Sequence, residues 1–123
     1  MRRVEIGDPN LNITVTAIDE PGAYGASHFY NLEYMDRRGV PVVYMLHFQE
    51  GPVKEVGING ITGEALLAIV IDRLRSFQSG KMPCRENGIA LDHLEQALGW
   101  LNQRTKARIA KGVEGKGLTH ESA

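Results

Sequence analysis

Among the 123 residues there is a single cysteine, Cys84, which excludes an internal disulfide and agrees with a reducing compartment. No apolar run is long enough to span a bilayer, and no apolar segment follows Met1-Arg2-Arg3-Val4-Glu5. Neither a membrane anchor nor a signal peptide is therefore expected, and the protein is read as cytoplasmic with no membrane partner. Catalytic and metal-binding patterns are missing too. There is no pair of histidines at metal-ligand spacing, no second cysteine and no Gly-x-Ser-x-Gly elbow, and the loop Pro21-Gly22-Ala23-Tyr24-Gly25 matches no phosphate-loop motif. His28, His47, His93, His120, Cys84 and the scattered carboxylates make no recognisable constellation. The residues thus present no recognisable catalytic or metal site, and no cofactor is expected.

The strongest pattern present is helical. Leu66, Val70, Leu74 and Phe77 recur at helical spacing with Leu67 and Ile71 beside them, while Glu64, Ala68, Asp72, Arg75 and Ser79 fall on the other side. Thr62 suits the N-cap, and Gly80, tolerant of the left-handed conformation, suits the end. From about Arg85, Leu91, Leu94, Leu98 and Leu101 alternate at steps of three and four and draw a narrow seam. The connection Gly80-Lys81-Met82-Pro83-Cys84 is short enough to force the two helices antiparallel. Two arms alone leave the face of Leu67, Ile71 and Phe77 in need of the sheet or another subunit, so oligomerisation is expected.

Ahead of the hairpin, Val4–Ile6 and Ile13–Ile18 read as short strands separated by the turn-forming Gly7-Asp8-Pro9-Asn10. From Ser27 to Met35, His28, Tyr30, Leu32 and Tyr34 alternate with Phe29, Asn31, Glu33 and Met35, which makes one face largely aromatic and apolar. Val42–Phe48 answers it across Asp36-Arg37-Arg38-Gly39, with Gly39 available for positive φ. The predicted class is α+β: an N-terminal antiparallel sheet of about four strands followed by a long antiparallel helical hairpin. The expected organisation is one domain, 1–123, with a sheet region (1–51), a junction (52–61), the hairpin (62–112) and a polar tail (113–123). In the junction, Gly57 and Gly60 stand just before a helix start, where backbone N–H groups can meet an anion; a structural role for them is the better reading.

The net charge is only −1, but it is unevenly spread: residues 1–51 hold more acids than bases, whereas 103–123 hold five Lys or Arg against two Glu. A base-rich end suits an anionic partner. On the second helix, His93, Trp100, Arg104, Arg108 and Lys111 are placed along a side adjoining the leucine seam. Such a stripe offers a ring for stacking and guanidiniums for bidentate phosphate binding, as a nucleotide-like ligand requires. Solvated cations and a tryptophan packed on a neighbour would have the same sequence. RNA, DNA, nucleotides and acidic proteins all remain open on this pattern.

The run Phe48-Gln49-Glu50-Gly51-Pro52-Val53-Lys54-Glu55-Val56-Gly57-Ile58-Asn59-Gly60-Ile61-Thr62, followed by Glu64-Ala65-Leu66-Leu67, resembles a phage helical-hairpin family. So do Cys84-Arg85-Glu86-Asn87, Leu94-Glu95-Gln96-Ala97-Leu98, Trp100-Leu101, Arg104-Thr105, Arg108 and Gly112-Val113-Glu114-Gly115. Proteins of two kinds share this hairpin: anti-CBASS proteins that sequester cyclic oligonucleotides, and Thoeris anti-defence proteins. The β-rich segment with Gly25-Ala26-Ser27-His28-Phe29-Tyr30 is similar to the second kind. The resemblance implies a sponge for cyclic ADP-ribose isomers made by TIR-domain enzymes (glycocyclic ADP-ribose), which are bound and not cleaved. It further implies a homo-oligomer, a hexamer, with sites between subunits, and it admits cyclic di- or trinucleotides as further ligands.

For this chain the implied ligand set is Met82, Arg85, Asn87, Asp92, Trp100, Arg104, Arg108, Lys111 and, in the tail, His120. Arg104 and Arg108 are the preferred phosphate ligands, Trp100 or a sheet aromatic supports the base, and Asn87 or Asp92 reads polar edges. Two positions depart from the family's pattern: Met82-Pro83 stands where an aromatic is expected, and Lys111 where arginine is common. The alternatives are a nucleic-acid-binding protein, the less favoured partner class, a hydrolase of cyclic nucleotides, and a phage hairpin that only oligomerises.

Overall fold

A computed structural model describes residues 1–7, 9 and 12–111. The expected tail, with His120, lies outside them. The described strands are β1 (Arg2–Val4), β2 (Thr14–Ala17), β3 (Phe29–Met35) and β4 (Pro41–His47), and the helices are α1 (Val53–Val56), α2 (Gly63–Ser79) and α3 (Arg85–Ala110). This is the predicted α+β order. The chain divides into two compact units: Met1–Glu50 with Ile58–Ile61, and Gly51–Gly57 with the chain from Thr62 on.

In the first unit the strands form one antiparallel sheet in the order β1-β2-β3-β4. The register pairs Ala17 with Tyr30, Tyr30 with Leu46, Leu32 with Tyr44 and Tyr34 with Val42. Since successive side chains alternate between faces, the aromatic and apolar residues collect on one face as expected. Gly39 has φ 80° in the β3–β4 turn, where the Asp36 carboxylate accepts from the N–H groups of Arg38 and Val40. The first two strands are shorter than their β-branched runs, and Ile6, Ile13 and Ile18 lie outside them.

Beyond β4, Phe48 bridges Ile61 in parallel. The Asn59 side chain accepts from the N–H of Glu50 and donates to its carbonyl, and the Asn59 N–H donates to Gln49 Oε1. This lock explains Gly60. A Cβ there would stand 2.5 Å from the Phe48 carbonyl carbon and 2.6 Å from the His47 oxygen, closer than non-bonded atoms approach. Gly60 is therefore a packing glycine and Gly57, at φ 77°, ends the single turn of α1, a helix that the junction's lack of periodicity did not announce.

The second unit is the hairpin. Thr62 caps α2 by accepting from the Ala65 N–H at 3.2 Å. Gly80 does end this helix, but at φ −101°, so its conformation is not left-handed. Space is tight there as well: a Cβ would meet the Ser76 carbonyl at 3.0 Å. The packed face of α2 also differs from the expected one. Ile71 is buried and Leu67, Leu74 and Gln78 are half-buried, while Val70 and Phe77 are exposed. Spacing alone drew too wide a stripe, because a second helix covers only a narrow strip of the first.

Candidate functional site: the long helix and its two flanks

The helix α3 starts on a cap made by Cys84, whose Sγ accepts from the Asn87 N–H at 3.4 Å. Gln78 fixes that cap from α2: its Nε2 donates to the Cys84 carbonyl and its Oε1 accepts the Cys84 N–H, both at 2.9 Å. Along the seam, Leu91, Leu94, Leu98 and Leu101 are half-buried as predicted. The same step of three and four continues to Asn87 at one end and to Thr105 and Arg108 at the other, all half-buried. Arg108 therefore sits on the seam and not on the side adjoining it.

The remaining cations frame an exposed surface. Trp100 is 76% exposed, so it does not serve as a core residue in one copy of the chain. With about 100° of turn per residue, His93, Trp100, Arg104 and Lys111 fall within a narrow sector, and all four are exposed. Arg104 Nη2 lies 4.0 Å from Glu64 Oε1 on α2; the guanidinium is held loosely in place and keeps donors for a ligand. Lys111 caps the C-terminal end of α3, where the helix dipole favours a cation.

Met82, 74% exposed in the turn, and Arg85 in the first helical position stand at the opposite end of the helix, with Asp92 two turns in. At about 1.5 Å of rise per residue, Arg85 and Arg104 are about 29 Å apart along the axis. The structure thus brings Trp100 and Arg104 together one turn apart, with Lys111 two turns further on, and places Met82, Arg85 and Asn87 at the opposite end; Asp92, about 12 Å along the axis from Trp100, lies between them.

Sequence reasoning passed over a second flank. A cavity of about 260 Å³ lies between the helices, lined by Ala68, Ile71, Arg75, Glu95, Leu98, Gly99 and Asn102. Arg75 Nη2 and Glu95 Oε2 pair across it at 2.9 Å. Asn102 is about 160° around the helix from Trp100, so this hollow and the tryptophan stripe occupy different flanks. Its signal was available: Ala68 and Gly99 are small residues on facing helices, and nothing lies within 4 Å of a Cβ built on Gly99.

The sheet unit holds a separate polar cluster. The Asp19 carboxylate accepts the N–H groups of His28 and Phe29 at 2.9–3.0 Å. The Phe29 bond is the largest cause that holds its pKa below the ordinary value, with the His28 bond adding to it. Glu50 stands between two imidazoles, 3.9 Å from His28 Nδ1 and 3.6 Å from His47 Nε2. Phe29 and His47 stack at 4.1 Å. These histidines belong to the sheet's own packing. Among the described residues, no group of three or more His, Cys, Asp or Glu side chains is arranged to hold a metal ion, and no helix is long and apolar enough to cross a membrane.

Residues 46–106, from the end of β4 through most of α3, match the family described as Acb2/Tad1, hairpin domain. A protein named Thoeris anti-defense 1, from Bacillus phage SBSphiJ7, is 53% identical to the chain over 76 residues, which cover 62% of this chain and 51% of that protein. The chain spans about half the length of this curated relative. Over residues 46–106, which hold the lock, the leucine seam and Trp100 with Arg104, the chain is similar to the Acb2/Tad1 hairpin-domain family.

Proposed function

We propose that the chain is a phage anti-defence sponge that binds a cyclic ADP-ribose isomer, glycocyclic ADP-ribose by resemblance, inside the infected bacterium. It holds the molecule without cleaving it and so keeps a Thoeris effector unstimulated. The observation that carries this reading is the 53% identity to a Thoeris anti-defence protein over a stretch of this size. The chemistry of α3 supports it. A cyclic ADP-ribose isomer has an adenine to stack, phosphates to neutralise and ribose hydroxyls to bond, and Trp100 with Arg104 one turn on offers a ring face beside a guanidinium. Sequestration needs slow release, not an acid and a base.

Arg85 and Arg104, about 29 Å apart along the helix, are too distant for one small molecule to touch both within one copy, which supports a site assembled between copies. Met82, Arg85, Asn87 and Asp92 of one chain meet Trp100, Arg104, Arg108 and Lys111 of another, and His120 joins from the tail. A hexamer is the assembly that the resemblance favours. Cyclic di- and trinucleotides are further ligands at separate positions.

The deciding experiment is a calorimetric titration with cyclic ADP-ribose isomers, cyclic di- and trinucleotides and a short DNA duplex, followed by heat denaturation of each complex and recovery of the ligand. Saturable binding of a cyclic ADP-ribose isomer and its recovery intact are expected. Recovery of linear products would make the chain a hydrolase. Binding of the duplex alone, weakening steeply with salt, would make it a nucleic-acid binder.

A further inference from the structure

Resting on the ligand reading above, we infer that Gln78 is a positioning residue for the Arg85 end of the site. It lies outside the proposed ligand set and fixes the helix start that presents Arg85 and Asn87. The packed stripe of α2 runs through Leu67, Ile71 and Leu74 to Gln78, a half-buried polar residue on the step where another leucine would pack. Its carboxamide turns both of its functions to one residue: Oε1 accepts the Cys84 N–H and Nε2 donates to the Cys84 carbonyl, each at 2.9 Å. Two bonds to a single residue fix its rotation as well as its position. They hold Cys84 extended, at φ −149° and ψ 160°, and that conformation sets the direction in which α3 leaves the turn.

The cap alone holds the first turn weakly. A thiol is a weak acceptor, and the Cys84 Sγ stands 3.4 Å from the Asn87 N, so the first turn is tied less firmly than serine or aspartate would tie it. The clamp from α2 supplies the missing hold.

Gly88 is shaped to that clamp. A glycine inside a helix weakens it, and Gly88 has no positive φ that would call for one. A Cβ there would meet Gln78 Nε2 at 3.1 Å, so the glycine makes room for the amide. Its own N–H donates to the Cys84 carbonyl at 3.2 Å. That oxygen therefore accepts from the helix and from the clamp together, as its two lone pairs allow. Arg85 and Asn87 lie one and three residues beyond Cys84, so any play at the cap is passed to both. A first turn that is open for part of the time binds with an affinity reduced by the closed fraction.

Hydrogen exchange and calorimetry on two positions test this. In free Gln78→Ala, shown to be folded by circular dichroism, the amides of Asn87 and Gly88 are expected to lose protection about tenfold, while those around Trp100 and Arg104 exchange as in the wild type. Glycocyclic ADP-ribose should bind the same variant about tenfold more weakly. A merely global loss of stability would speed exchange along the whole helix and leave the affinity of folded chains unchanged. Gly88→Ala should loosen the turn and weaken binding in the wild-type background, where it presses on the Gln78 amide, and do neither in Gln78→Ala, where no amide stands in its way. Unchanged protection of Asn87 and Gly88 in Gln78→Ala overturns the clamp whatever the ligand. Local loss of protection with unchanged affinity overturns the positioning role alone. A wild type that binds none of the cyclic ADP-ribose isomers overturns the ligand reading, and the positioning role with it.

Discussion

Trp100 keeps 76% of its surface in solvent, so its removal separates ligand binding from folding. Trp100→Ala is expected to leave the melting temperature within a degree or two, since exposed substitutions change stability by about 0.5 kcal/mol or less. It should weaken cyclic ADP-ribose binding about tenfold or more in titration calorimetry, on the scale of about 1–3 kcal/mol for lost base stacking. Arg108 is a less clean probe because it lies half-buried at the end of the seam, whereas Arg104 is exposed and stands at a loose 4.0 Å from Glu64. Asp19 acts through the backbone. Its carboxyl is held below the ordinary value, near 3.9, chiefly by the Phe29 N–H bond. A depressed folded pKa contributes stability above the unfolded value that is lost as pH falls through the folded one. The urea midpoint should therefore fall as pH drops below about 4, and Asp19→Asn should lower the midpoint at pH 7 and flatten that acid decline.

At the scale of elements, the hairpin depends on one side chain at its turn and contains one position that folding does not require. Gln78 meets both backbone groups of the residue that caps α3, and Gln78→Ala is expected to destabilise the protein by about 1–2 kcal/mol in urea titration. Gly99 lies inside α3 with nothing near its missing Cβ, so Gly99→Ala should stabilise by about 0.5–1 kcal/mol. It would also narrow the hollow beside Ala68. This element was largely legible in the sequence: Thr62, the leucine seam and the short connection mark its ends and its pairing. The width of the α2 face was not, because Val70 and Phe77 have the same helical spacing as Leu74 and only the partner's breadth decides which is covered. On α3 the positions of Trp100 and Arg104 followed from the helical period, while Arg108 was misplaced by one step around the helix. The 3.5-residue seam drifts against the 3.6-residue turn, and that drift grows toward the helix end. The lock at Gln49, Glu50, Asn59 and Gly60 joins residues about ten apart and has no periodic signature.

For the whole molecule, the separation of Arg85 from Arg104 makes sharing between copies measurable. Arg85→Ala and Arg104→Ala should each lose binding alone, and co-refolding the two variants should restore wild-type affinity at a fraction of the sites, because some pairings reunite an intact Arg85 with an intact Arg104. Failure of the mixture to bind would show that the two arginines do not share a site. The path of the chain has a further consequence, for inheritance. Gly51–Gly57 belongs with the helices and Ile58–Ile61 returns to the sheet before Thr62 opens α2, so the polypeptide crosses from one unit to the other three times in a dozen residues. A recombination joint at Glu50–Gly51 would deliver Asn59 and Gly60 without the Gln49 and Glu50 that they fasten. Exchange of the sheet between related genes is expected to succeed with joints after Ile61, which carry the lock across as a single heritable block.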